Sequence, residues 1–159
     1  MIARVGLGVD FHRLAPGRPL VLGGVRIPHS VGLAGHSDAD VLVHAISDSL
    51  LGAAGQSDIG THFPDTDPAT LGISSVTLLA QVMDTIAGAG WRVINVDCVV
   101  VAEEPRLAPF VAQIRNAISS ALRVAPDQVG LKATTSEGMG ALGRREGIAA
   151  LAVSLIERA

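Results

Sequence analysis

The sequence predicts one domain that mixes strands with helices, and three observations carry that expectation. Five runs have strand character and three have helical spacing. No repeat, linker or low-complexity segment divides the 159 residues, a length that lets one domain bury a real core. The apolar share is 48%, drawn mostly from Ala, Val, Leu and Ile, with no Tyr and 3% aromatics. A mean hydropathy of +0.44 without any run near the roughly 20 apolar residues that cross a bilayer points to subunit interfaces, hence an oligomer. The net charge of −3 argues against nucleic acid as a partner, and the single Cys98 excludes an internal disulfide. The first strand begins almost at Met1 with no targeting segment before it, so the expected compartment is the cytoplasm, away from membranes.

Arg4 to Val9 reads as a strand, closed by Gly8-Val9-Asp10-Phe11-His12. Asp10 and His12 are two apart and point the same way on an extended backbone. Such a pair is either an oxygen and an imidazole for a metal, or an aspartate orienting a surface histidine. Residues 13–19 form a loop, and Leu20 to Pro28 a strand or hairpin bent at Gly23-Gly24. His29 reads as a surface residue. Gly35 to Asp48 then packs two histidines and three aspartates into fourteen residues. Ser37 suits an N-cap, with Asp40 in the acidic place of a capping box. Val41, Leu42, Ala45, Ile46, Ser49 and Leu50 step at helical spacing, and Val43 and Leu51 widen the apolar surface. His44 and Asp48 share one face of that helix, as a satisfied core pair or as ligands aimed into a cleft.

Residues 55–68, dense in Asp, Gly and Pro, make a loop long enough to suggest function; Asp67 before Pro68 reads as a turn former. Ser74 or Ser75 caps a second helix through Ile86, closed by Gly88 and Gly90. Val93 to Ala102 is a strand apolar enough to be covered on both faces, by helices on one side and a neighbouring subunit on the other. After a turn at 103–106, Pro109 opens a third helix to about Arg123. A turn at 125–127 leads to a strand from Val129 to Thr135, and Gly147 to Ile156 is the last strand. Lys132 to Gly140 gathers hydroxyls, an acid and glycines at a strand end. That composition serves a phosphate with a divalent ion, or simply a Ser/Thr-rich turn; the Walker lysine spacing is missing.

Together Asp10, His12 and His44 offer one carboxylate and two imidazoles, which leave a tetrahedral Zn²⁺ one open position. The motifs G-x-D-x-H (8–12), G-G-V-R-I-P (23–28), H-S-D-x-D-V-x-x-H-A (36–45), L-L-G-A-A (50–54), D-I-G-x-x-F-P-D-T-D-P (58–68), K-A-T-T-x-E (132–137) and G-R-x-E-G-I-A (143–149) closely resemble the 2-C-methyl-D-erythritol 2,4-cyclodiphosphate synthase family, from first strand to last.

That resemblance implies a compact α+β domain over residues 1–159, with a mixed four- to five-stranded sheet covered by three helices on one face. The sheets would pack together in a homotrimer, with active sites between subunits. It implies formation of a cyclic diphosphate and CMP from 4-diphosphocytidyl-2-C-methylerythritol 2-phosphate. Asp10, His12 and His44 would hold zinc, with Asp48 behind them. Glu137 would hold a second ion, Mg²⁺ or Mn²⁺. His36, Thr135 and Glu137 would act at the reacting groups, with His36 and Ser37 meeting phosphate and diol. Asp58, Gly60, Phe63 and Asp65 would hold the methylerythritol part. Ala102, Arg106, Leu107, Thr134 and Thr135 would line the cytidine and phosphate pocket across the interface. Arg144 would meet the phosphate of an isoprenoid diphosphate, an optional ligand in a cavity on the threefold axis.

Two positions depart from the family's pattern: Arg106 where lysine is common, and Ala141 where an aromatic is frequent. Two rival functions remain at this level. One is a zinc hydrolase of a small phosphate ester, with Asp48 or His36 as base; the other is a non-catalytic trimeric module that binds an anion.

Overall fold

Strand β1 (Ala3–Ala15) is longer than the run to Val9 that the sequence suggests. Its pairing does not stop at Gly8: Asp10 to Arg13 stay in register with Ala150 to Gly147 of β7 (Gly147–Arg158). Asp10 and His12 therefore lie within a strand rather than beyond its end. The computed structural model describes residues 2–64, 66 and 72–159, so Asp65, Asp67 and Pro68 lie outside the described residues.

The chain continues through a hairpin of β2 (Leu20–Leu22) and β3 (Val25–Ile27), then β4 (Gly32–Leu33), too short to be read from sequence. Gly23 and Gly24 take φ of 59° and 76°, as a two-residue hairpin turn requires. Helix α1 (Val41–Ala54) is followed by the single turn α2 (Ile59–His62) and by α3 (Ser75–Gly88). Strand β5 (Trp91–Val101), α4 (Val111–Leu122), β6 (Val129–Thr134) and the short α5 (Gly140–Gly143) lead into β7. The sheet order is β4-β1-β7-β5-β6, antiparallel except for the β5–β6 pair, which α4 joins. This is an α+β domain with a mixed sheet.

Residues alternate along β1: Gly6 and Gly8 are buried while Val5, Leu7, Val9 and Phe11 are exposed. Helices cover the first face. Val9 is paired with Leu151, and Leu151 in turn with Val99, so the other face carries an open apolar stripe. Strand β5 was expected to be covered on both sides; within this chain its outer face stays uncovered, with Asn95 and Asp97 exposed.

Two details set α1 against the sheet. A Cβ at Gly6 or Gly8 would overlap the carbonyl oxygens of Ser49 and Ala45, so helix backbone lies directly on strand backbone. Second, Asp40 rather than Ser37 caps α1. The Asp40 side chain accepts Val43 N–H (3.1 Å), Gly23 N–H (2.9 Å) and Gly24 N–H (2.7 Å), tying the helix start to the hairpin turn. Ala39, at a left-handed φ of 58°, breaks the helix between the two candidates. Burial pushes the Asp40 carboxyl up to about 6 although three backbone N–H groups favour its charged form.

Gly8→Ala is expected to cost about 1–3 kcal/mol or more, because backbone has to move, and to weaken metal binding with it; urea unfolding and a metal titration check both. Asp40→Asn removes one acceptor from three buried donors, a loss of about 1–3 kcal/mol. The wild-type carboxyl, raised in the folded state, contributes most below its unfolded value and loses that contribution as pH rises through about 6. The stability gap between wild type and Asp40→Asn should therefore be widest near pH 4, by roughly the two-unit shift, and narrow towards pH 7, as read from unfolding curves at each pH.

Candidate metal centre and split site

Asp10 and His12 project from the helix-covered face of β1, and His44 meets them from α1. Both Nδ1 atoms face the same carboxylate oxygen: His12 Nδ1 stands 2.9 Å and His44 Nδ1 3.1 Å from Asp10 Oδ2. One candidate ligand atom from each residue falls within 4.8 Å of the others. The imidazole centroids are 5.1 Å apart, and all three side chains are half-buried. His12 Nδ1 is buried without a properly directed hydrogen bond, as expected of a lone pair aimed at a cation. One hard oxygen and two imidazoles, converging and shielded, fit a transition metal. Burial alone would raise the Asp10 carboxyl, but the two imidazoles overcome it and hold the group well below the usual carboxylate range. Burial likewise opposes charge on His44, and Asp10 reverses that and raises it. Gly35 leaves room for this packing, since a Cβ there would press the His12 ring at 3.1 Å.

The two histidines of the trio line a cleft of about 270 Å³ together with His36, Ser37, Gly60 and Phe63. Its rim at 35–37 is clamped by Arg18, which donates to Gly35 O (2.8 Å) and Ser37 O (2.6 Å). From the other side, Gly72 N–H reaches His36 O at 3.0 Å. Arg18 was not singled out from the sequence; its role passes through backbone carbonyls, which leave no pattern in residue types.

Asp58 caps α2, taking the Thr61 N–H at 2.8 Å, and that hydrogen bond holds its exposed carboxyl low. Asp48 lies one turn along α1 from His44 but borders a different cleft, with Leu7, Gly8 and Asp58. Its carboxylate accepts the Ile59 N–H at 2.8 Å and so anchors the loop. Burial raises the Asp48 carboxyl against that bond.

Ala102, Arg106, Leu107, Thr134 and Thr135 line a third cleft, about 380 Å³, which shares no lining residue with the metal-side cleft. Glu137 sits beside it at φ 54°, touching Thr135 Oγ1 at 3.3 Å. This turn is held by Glu103, which accepts from Ser136 N and Oγ (both 2.9 Å) and Gly138 N (3.3 Å); hydrogen bonding by Ser136 keeps its carboxyl low. Ala141 lies by a fourth cleft with Phe11 and Leu142, and the exposed Arg144 pairs with Glu146 at 2.6 Å. Cys98 is buried and its thiol is pushed up to about 12 by that burial, which leaves it no nucleophile.

The family model described as YgbB family matches residues 3–157. The chain is similar to the 2-C-methyl-D-erythritol 2,4-cyclodiphosphate synthase of Syntrophomonas wolfei, at 60% identity over 156 residues that cover 98% of this chain and 99% of the relative. Among solved structures, the bifunctional IspDF of Campylobacter jejuni matches with a TM-score of 0.96 at 39% identity, over 99% of this chain and 43% of that one. This chain thus spans less than half of the bifunctional protein. The IspF–CDP complex from Plasmodium falciparum matches with a TM-score of 0.86 at 33% identity, over 98% and 96% of the two chains.

Proposed function

The chain belongs to the YgbB family, whose members include full-length relatives named as 2-C-methyl-D-erythritol 2,4-cyclodiphosphate synthases, and we propose from that premise how its clefts perform this chemistry. It converts 4-diphosphocytidyl-2-C-methyl-D-erythritol 2-phosphate to the 2,4-cyclodiphosphate and CMP, in the non-mevalonate route to isoprenoids. An oxygen of the 2-phosphate attacks the β-phosphorus, and CMP leaves with the electrons of the broken P–O bond. The nucleophile is already charged, so the protein has to position and neutralise rather than supply a nucleophile. The observation that carries this reading is the convergence of Asp10, His12 and His44 at a cleft edged by His36 and Ser37.

When bound, Zn²⁺ on Asp10, His12 and His44, with Mg²⁺ or Mn²⁺ on Glu137, supplies Lewis-acid neutralisation of the phosphates. His36 and Ser37 orient the 2-phosphate and diol. Asp58, Gly60 and Phe63 hold the methylerythritol part, and the family resemblance assigns one of its hydroxyls to Asp65. Ala102, Arg106, Leu107, Thr134 and Thr135 receive cytidine and its phosphates, and Thr135 steadies Glu137. The CDP named in the Plasmodium falciparum complex is of the right class for that pocket. Ile59 and Phe63 supply apolar cover that excludes water from the transfer.

The two clefts become one site when a neighbouring copy is brought alongside, and the open stripe of Val5, Leu7, Val9, Phe11, Leu151 and Val153 is the surface such a copy would cover. We therefore read residues 1–159 as one synthase domain working as a homotrimer in the cytoplasm. Arg144 near Ala141 is assigned to the optional isoprenoid diphosphate. No helix among the described residues is long and apolar enough to cross a membrane. The hydrolase alternative keeps only His36 as base, since Asp48 borders another cleft, and it is disfavoured by the full-length relatives, which are named as synthases.

Phosphorus NMR with the diphosphocytidyl substrate should show cyclic diphosphate and CMP; a phosphate product carrying oxygen from water would sink the reading. His44→Ala should lose metal and turnover while the assembly keeps its mass, as checked by metal analysis and light scattering. Asp58→Ala should retain metal and raise KM about 5- to 30-fold, the equivalent of one or two net hydrogen bonds; loss of metal in that variant would contradict the loop's assignment.

A further inference from the structure

We propose that Asp38 and Ser75 are positioning residues that fix which nitrogen of His44 faces the metal. The inference rests on the metal-centre reading above and extends it to two residues to which neither the sequence nor the family resemblance gave a role at the metal. His44 Nε2 lies 3.0 Å from Ser75 Oγ and 3.2 Å from Ser37 Oγ. Which of these partners donates follows from counting hydrogens. Ser75 has one hydroxyl proton, and it goes to Asp38 Oδ1. Asp38 is held for that task from two further directions, accepting Ser75 N–H at 3.1 Å and Asp40 N–H at 3.3 Å. With its proton committed, the Ser75 oxygen can only accept. Ser37, whose Oγ takes the Ala39 N–H, has Ser75 Oγ at 3.4 Å as acceptor for its own proton. With both hydroxyl protons so placed, the hydrogen toward His44 belongs to Nε2.

The consequence falls on the other side of the ring. A neutral His44 with hydrogen on Nε2 presents the Nδ1 lone pair, and Nδ1 is the atom that faces Asp10 Oδ2 at 3.1 Å. A lone pair against a carboxylate oxygen is repulsive unless a cation joins them. The hydrogen-bonded chain Asp38–Ser75–His44 thus selects the tautomer that can ligate and opposes the one that cannot. Ser75 is fully buried at the start of α3, and His44 is on α1, so the chain also locks the ring's rotation to the packing of two helices.

Replacing Asp38 by Asn tests the polarity rather than the packing. Asn can accept on one side only: its NH₂ faces either Ser75 Oγ and Asp40 N–H, or Ser75 N–H. In the first case the hydroxyl turns to donate to His44 Nε2, which favours hydrogen on Nδ1 and blocks the ligating atom. In the second, Ser75 loses its backbone tie and the chain is loosened. Competition with a chromophoric chelator should show zinc held about 10- to 100-fold more weakly in Asp38→Asn and Ser75→Ala, the usual consequence of removing such partners. Circular dichroism should show both variants folded. In zinc-loaded wild type, nitrogen–proton correlation spectra should show His44 bound through Nδ1 with a slowly exchanging proton on Nε2. Binding through Nε2, or zinc affinities within about twofold of wild type in both variants, would overturn the inference. Should Ser75→Ala fail to fold, the wild-type spectrum and Asp38→Asn still decide. A wild-type protein that takes up no zinc would instead overturn the metal reading itself, and this inference with it.

Discussion

How closely α1 can lie on β1 governs everything else in this molecule. The helix runs against the strand direction, with Gly6 facing Ser49 and Ala53 and Gly8 facing Ala45 and Ser49. Two strand residues advance roughly 6.6 Å and four helix residues about 6 Å, so the two elements keep step. The next residue on that strand face, Asp10, therefore comes opposite the first turns of α1, where His44 stands. Any Cβ at the two glycines would lift the helix and carry His44 away from Asp10. Asp40 fixes the remaining freedom by pinning the start of α1 to the Gly23-Gly24 turn. The geometry of the Asp10–His12–His44 cluster is thus a consequence of backbone packing, and its precision comes from a contact that involves none of the three.

Much of this was legible because it is periodic. Strand period two placed Asp10 and His12 on one side, and helical period placed His44 on a nearly buried helix; both arguments need only local backbone. The same reasoning cut β1 short, since nothing in Asp10 to Arg13 announces that β7 pairs with it, and pairing is a long-range fact. It also chose Ser37 as helix cap. Ser37 is a sound cap by type, but its hydroxyl accepts Ala39 N–H and faces His44, and Asp40 has the hairpin donors that settle the matter. The glycines at alternate positions of β1 were not read from the sequence as a place of close approach; their role shows only once α1 is seen lying on them. Asp38, Ser75, Arg18 and Glu103 act across gaps of 17 to 37 residues through two or three hydrogen bonds apiece, which residue type cannot encode. The identity of the chemistry came from motif resemblance, not from any one spacing.

The open face of the sheet and the separation of the clefts are two aspects of one problem. A sheet covered by helices on one side only leaves Val5, Leu7, Val9 and Phe11 in water, a cost that association removes. On the proposed reading, the same association brings the Thr134–Glu137 turn of one copy to the metal-side cleft of the next. Covering the apolar face and completing the site would then be a single event, and a lone protomer would have neither.

That arrangement suits a reaction in which both partners already belong to one substrate. An intramolecular attack needs its ends brought together and its charge neutralised, and it gains nothing from a protein nucleophile. Asp10, with its carboxyl held low by two imidazoles, is fit to be a constant anion rather than a proton carrier. His44 Nε2 in turn faces the hydroxyls of Ser75 and Ser37. On the proposed reading the cluster is arranged as fixed electrostatics, and a site of fixed charges rewards geometry above all. It is for this reason that two glycines, whose only contribution is to let a helix come close, matter as much here as the side chains that face the substrate.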